Sequence, residues 1–185
     1  MKEISATINI DAPPMDVWAV LTDLSQYPDW NPLFREATGE IAVGKRIRLR
    51  SVHPANGRLM TVKPKIVTAE PGVELRWASS LPGIISGEHS FRLSLAEGGT
   101  TLVQSEAFRG LLVPFSGKIL SRSEASFQSL NEAIKKRVEQ SRLLMPLSSL
   151  SNMRIKTAAI IEAALLHDAE PADSLFAGDL SMVLA

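Results

Sequence analysis

The sequence predicts an α+β fold: a curved antiparallel sheet of about seven strands, a short helical segment after the first strand, and a long C-terminal helix. Three observations carry this. Apolar and polar residues alternate in segment after segment from residue 33 to about 110. The interruptions are turn signals: Val43-Gly44, Glu70-Pro71-Gly72 and Gly98-Gly99. They join segments adjacent in sequence, which gives hairpins and an antiparallel meander rather than parallel crossovers. Helical periodicity then runs from about residue 115 to 141.

Taken in order, residues 3–10 place Ile4, Ala6, Ile8 and Ile10 on one face of a half-buried strand. In "DAPPMDVWAVLTDL", Asp11 is a candidate cap and the prolines suit a first turn. Val17, Val20, Leu21 and Leu24 recur at helical spacing. "YPDWNPLF", residues 27–34, is too broken by proline for a helix or a central strand. It is also too aromatic for a solvated loop in a chain with 5% aromatic residues. The long helix presents Ile119, Ser123, Phe127, Leu130, Ile134 and Val138 on one face, with Lys135, Lys136 and Glu139 opposite. Pro146 and its neighbouring serines end it, and a second helical run and an acidic-then-apolar tail follow. The expected organisation is one domain over residues 1–142 and an appendage over 143–185.

Composition narrows the function classes. The 185 residues are 45% hydrophobic and 22% charged, with zero net charge, which offers no chain-wide footprint for nucleic acid or anionic lipid. Cysteine is absent, so disulfides, thiolate catalysis and cysteine zinc sites are excluded. No signal-peptide core opens the sequence, and no stretch nears the roughly 18 apolar residues of a membrane span. A cytoplasmic protein is expected. Arg46, Arg48 and Arg50 share an outward parity with Lys63, Lys65, Arg76 and Arg92. Glu74 and Glu88 interleave with them, as on a solvated face.

The inward parity holds the candidate site. In residues 84–96, Phe91, Leu93 and Leu95 are apolar, so odd positions face the core and His89 faces it with them. A Gly98-Gly99 turn would pair Leu95 with Leu102, Phe91 with Glu106 and His89 with Phe108, turning Gln104 and Glu106 inward. The preceding hairpin would set Ile66 opposite Trp77 and Thr68 opposite Leu75. Residues 45–53 would turn Ile47, Leu49, Ser51 and His53 inward. Buried polar groups cost on the order of 1–3 kcal/mol each unless hydrogen-bonded. His53, His89, Gln104 and Glu106 on one inner face therefore imply a wet or ligand-filled interior. Otherwise they pair with one another or reach water at strand ends.

The carrying segments are "INIDAPPMDVWAVLTDLSQYPDWNPLF", "GRLMTVKPKIV", "ELRWASSLPGIISGEHSFRL", "QSEAFRGLLVP" and the helix with Asn131. In their order of elements they resemble the START-like (SRPBCC) superfamily over about residues 2–140, nearest its polyketide cyclase/dehydrase-like branch. The resemblance implies a helix-grip fold, with the sheet wrapped around the long helix and a deep cavity between them. "YPDWNPLF" would then stand at the cavity mouth. Tyr27 and Trp30 would pack on the core or line the rim, and Asn31-Pro32 would turn the chain into the second strand.

The implied partner is a small hydrophobic molecule: a lipid, isoprenoid, aromatic or polyketide-like compound. Candidate ligand-binding residues are Trp30, His53, Met60, Trp77, His89 and Phe91 from the first part of the chain. Gln104, Glu106, Phe108, Ser123 and Phe127 complete the set. The alternative is a cofactor-free cyclase/dehydrase in the same cavity. His89 and Glu106, expected as diagonal neighbours, would be the catalytic pair for proton transfer. A weaker alternative is a protein–protein adaptor using the tail, and a homodimer is a further possibility. The histidines at 53, 89 and 167 lack metal-ligand spacing, so no metal or other cofactor is expected.

Overall fold

The computed structural model describes residues 1–52, 57–81, 85–110 and 117–144. In chain order the elements are β1 (Lys2–Ile10), α1 (Pro14–Thr22), a 3₁₀ turn (Leu24–Gln26), α2 (Tyr27–Trp30), β2 (Phe34–Thr38) and β3 (Arg48–Val52). Then come β4 (Leu59–Val62), β5 (Lys65–Glu70), β6 (Glu74–Leu81), β7 (Ile85–Ala96), β8 (Gly99–Arg109) and α3 (Gly117–Leu143). Backbone contacts divide the chain into Met1–Leu143 and Leu144–Ala185, and all these elements belong to the first unit. The second helical run and the tail lie outside the described residues.

Every strand pairing is antiparallel. A five-stranded sheet runs in the order β1-β8-β7-β6-β5, and a three-stranded sheet in the order β2-β3-β4. Among the described residues eight strands stand where about seven are expected from sequence, because Pro64 divides residues 59–70 into β4 and β5. Proline offers no N–H to continue a ladder. The sheets meet at this seam. Ile47 donates to the Pro64 carbonyl at 3.1 Å, Ile66 to Lys45 at 2.8 Å and Gly44 to Ile66 at 2.9 Å.

The helix α3 covers the inner face through Phe127, Leu130, Ile134 and Val138, all buried. Burial of such side chains stabilises by about 1.5–3 kcal/mol each. Polar side chains on the same helix moor it to β1, the sheet's edge strand. Asn131 Nδ2 donates to the Ala6 carbonyl at 3.2 Å and Lys135 Nζ to that of Asn9 at 2.7 Å. The expected Asp11 cap is not made: Pro13 occupies the N-cap of α1 with no side-chain bond. Asp11 instead gives its backbone N–H to Glu139 Oε1 at 3.0 Å.

"YPDWNPLF" does contain a helix, correcting the sequence expectation. Pro28 lies in the first turn of α2, where a missing N–H costs nothing. Asn31, 2% exposed, ends it, its Oδ1 accepting from Leu33 N and Phe34 N at 2.9 Å each. That bond pair is the turn into β2.

Two hairpin registers also differ. The β7–β8 turn is Glu97-Gly98, not Gly98-Gly99, so Leu95 pairs with Thr100 and Ala96 with Gly99. Gly99 is needed elsewhere: a Cβ there would drive into the Ile10 carbonyl and stand 3.0 Å from Ala12 N. Thr100 Oγ1 ties the same corner by donating to the Ala12 carbonyl at 2.6 Å. In β5–β6, Ile66 opposes Trp77 as expected, but a bulge at Val67 sets Thr68 opposite Arg76 rather than Leu75. Thr68 Oγ1 then accepts from Arg76 at 2.9 Å and does not join the core row.

The outward cations are largely paired. Arg50 and Arg48 reach Glu36 at 2.6 and 3.6 Å, Arg76 reaches Glu88 at 3.1 Å, and Arg92 reaches Glu74 at 3.0 Å. This is the interleaved solvated face.

Two consequences are measurable. Gly99→Ala forces backbone against backbone and should cost about 3 kcal/mol or more in urea denaturation; a change below about 1 kcal/mol would mean the corner yields. Asp16, in the first turn of α1, meets Arg142 at 3.2 Å. Burial pushes its carboxyl above the ordinary 3.8, and Arg142 offsets only part of the rise. A raised value means the fold holds the proton more tightly than the unfolded chain does. The group's contribution is then most favourable below about pH 3.8 and declines as pH rises through the folded-state value. Asp16→Asn should flatten the pH dependence of Tm across that window. It should leave Tm at neutral pH unchanged or slightly raised; a clear fall there would mean the Arg142 pair outweighs burial.

Candidate functional site

The inner face of the five-stranded sheet is built from cross-strand rows. One row runs Ile66, Trp77, His89, Glu106, Ile4 across β5, β6, β7, β8 and β1. The next runs Leu75, Phe91, Gln104, Ala6. The two-residue shift of the β7–β8 register keeps parity, so Gln104 and Glu106 stay inward. It changes the neighbours. Glu106 is directly opposite His89 rather than diagonal to it, and Gln104 takes the diagonal place.

His89 is 5% exposed and enclosed by rings. Trp77 stacks on it with centroids 5.0 Å apart and planes 9° from parallel. Phe127 from α3 meets it edge-on at 5.0 Å, and Phe91 lies at 4.8 Å. Its Nε2 is 3.1 Å from Gln104 Nε2, and its Nδ1 is 3.5 Å from Glu106 Oε2. With the amide donating, Nε2 accepts and the imidazole proton sits on Nδ1, facing the carboxylate. At 3.5 Å that contact is too long for a tight hydrogen bond. Glu106 is the open member of the pair, its side chain 23% exposed.

This polar group lies between two apolar clusters. The larger includes Ile10, Tyr27, Trp77, Phe91, Leu102 and Ile134. The smaller is Ile4, Ala6 and Phe127, with Phe108 packed against it and half-buried. His89 touches rings of both. Imidazole, amide and carboxylate thus present polar atoms at the boundary of the two apolar clusters.

Trp77, His89, Phe91, Gln104, Glu106 and Phe127 are thus brought together, with Phe108 adjacent. Trp30 is not among them. It packs on Tyr27 at 5.2 Å, and Tyr27 stacks on Phe34, which meets Trp77 edge-on at 6.3 Å. The Tyr27 hydroxyl donates to the Leu21 carbonyl at 2.7 Å, and burial holds this phenol well above its ordinary pKa. Met60 is separate: it lies on β4 opposite Ser51, in the three-stranded sheet, 40% exposed. His53 and the side chain of Ser123 lie outside the described residues.

Two contributors lie outside the candidate residues read from the sequence. Gly87 has the inward parity of His89, and a Cβ there would stand 3.0 Å from Glu106 Oε1 and 3.8 Å from the Phe108 ring. Its bareness is the space the carboxylate uses. Asn131 is 2% exposed on the apolar face of α3, a polar residue where helical spacing calls for an apolar one.

A family model described as polyketide cyclase/dehydrase and lipid transport matches residues 1–139. No curated protein matches the sequence. Among solved structures, protein MLL2253 from Mesorhizobium loti is 17% identical with a TM-score of 0.61, covering 75% of this chain and 98% of its own. A START superfamily protein from Mycobacterium smegmatis is 18% identical with a TM-score of 0.59, covering 75% and 97%. The di-domain ARO/CYC StfQ of the steffimycin biosynthetic pathway is 13% identical with a TM-score of 0.61, covering 77% of this chain and 52% of its own. At these identities the likeness is one of fold.

Gly87→Ala should leave Tm within a few degrees, since a carboxylate end can swing aside. It should part Glu106 from His89, read as moved His89 imidazole proton shifts in NMR at fixed pH. Unmoved shifts would mean Gly87 does not set the pair.

Proposed function

The chain belongs to the polyketide cyclase/dehydrase and lipid transport family, and from that premise we propose that it binds a small apolar molecule at the end of the sheet floored by His89 and Gln104. The observation that carries this reading is the polar group set between two apolar clusters, His89 and Gln104 buried and Glu106 open. A core built only for stability gains nothing from polar atoms at such a boundary. The walls would be Ile4, Ala6, Phe108 and Phe127, and the bound molecule is lipid-, isoprenoid-, aromatic- or polyketide-like.

A cofactor-free cyclase/dehydrase is the second reading, favoured by the direct His89–Glu106 opposition at 3.5 Å. Glu106 would exchange the proton with the ligand. His89, held in one tautomer by Gln104 and fixed in plane by Trp77, would steady the charge.

Native mass spectrometry of the purified protein, with extraction of what it retains, tests the binding reading. A discrete small molecule is expected. The bare protein mass, with no uptake from a panel of lipids and polycyclic aromatics, would overturn it. Glu106→Gln should leave affinity for the retained molecule within about threefold. On the catalytic reading it should lower turnover by about 10²-fold; equal turnover in wild type and variant removes the pair from the chemistry.

A further inference from the structure

Two buried carbonyl oxygens in this region have no donor. Gln104 is wholly buried; its amide nitrogen is committed to His89 and its Oε1 has no partner. Asn131 is 2% exposed; its amide nitrogen is committed to the Ala6 carbonyl and its Oδ1 has no partner. They belong to one neighbourhood. Ala6 is the residue directly across from Gln104 in the β1–β8 pair, so Asn131 is moored to the backbone beside it. One helical turn earlier on α3, Phe127 lies against His89.

Neither amide gains by turning over. Reversing Asn131 would set oxygen against the Ala6 oxygen. With the imidazole neutral, reversing Gln104 would require the ring proton on Nε2 and turn the Nδ1 lone pair toward the Glu106 carboxylate. The orientations are therefore fixed by their surroundings, and with them the unmet acceptors. Native interiors rarely leave such atoms unpaired. Glu106, the open group beside them, is an acceptor too when ionised. Among the described residues, the unmet hydrogen-bonding capacity of the region is all of one kind.

We propose that the molecule bound here carries an O–H donor, an alcohol or a phenol, on its apolar body and delivers its one proton to Gln104 Oε1, with Asn131 Oδ1 the neighbouring acceptor for a second donor. This rests on the ligand-binding reading above and narrows it. Hydroxylated molecules are taken; the matching ethers and hydrocarbons, which fill the same space and donate nothing, are discriminated against. Carboxylic acids are disfavoured by the same acceptors.

Isothermal titration of the wild-type chain with 2-naphthol and with 2-methoxynaphthalene tests it. The naphthol should bind about tenfold more tightly, the worth of one net hydrogen bond in a dry site. Gln104→Met, checked for native circular dichroism, should bring the ratio close to one by weakening the naphthol and sparing the ether. Equal binding of the two probes by the wild type would overturn the hydroxyl assignment and leave the ligand-binding reading standing, with trapped water satisfying the two oxygens. Failure of both probes to bind, in a protein that retains no molecule through purification, would overturn both.

Discussion

The turn at Glu97-Gly98 sets the register of β7 against β8, and the site depends on that register. Side chains alternate between faces with a period of two, so a slip of one residue would send Gln104 and Glu106 to water. A slip of two would keep them inside but put Phe108 across from His89. The observed register does neither. It is enforced from outside the hairpin: Ile10 and Ala12 press on Gly99, and Thr100 bonds to Ala12. The end of β1 thereby fixes which residue of β8 meets which residue of β7, seven residues along the strand from Glu106.

What this positions is a polar layer rather than an isolated dyad. Trp77 holds the imidazole plane, Gln104 selects its tautomer, and Gly87 leaves room for Glu106. Each of these comes from the five-stranded sheet, and α3 closes the group with Phe127 and Asn131. The same helix is moored to the edge strand through Asn131 and Lys135. The residue that leaves an oxygen unpartnered in the interior is therefore also one that holds the helix in place.

Much of this is legible in the sequence, for a definable reason. Alternation survives any two-residue error, so the inward set of Trp77, His89, Phe91, Gln104 and Glu106 emerges correctly from a turn placed one residue late. Pair identity does not survive it, which is why the dyad is diagonal on paper and opposed in space. The turn falls one residue late on sequence grounds because Gly98 and Gly99 look alike as letters. One has a positive φ of 83° and makes the turn; the other is bare because the backbone at Ile10 runs over it. The bulge at Val67 and the break at Pro64 depend on which strand lies alongside, and local periodicity is blind to that. Met60 lies in an alternating segment that the break at Pro64 places in the other sheet.

The rings from Trp30 through Tyr27, Phe34 and Trp77 to His89 form an unbroken line from residues 27–34 to the buried imidazole. Close-packed interiors transmit size changes along such contacts. Pro28 and Asp29, in the same segment, are exposed. The segment is therefore two populations of residues under different rules. Its solvent-facing members are free to drift as the chain diverges, whereas Tyr27, Trp30 and Phe34 can change only in concert, because an enlargement at any of them is felt by an imidazole that none of them touches.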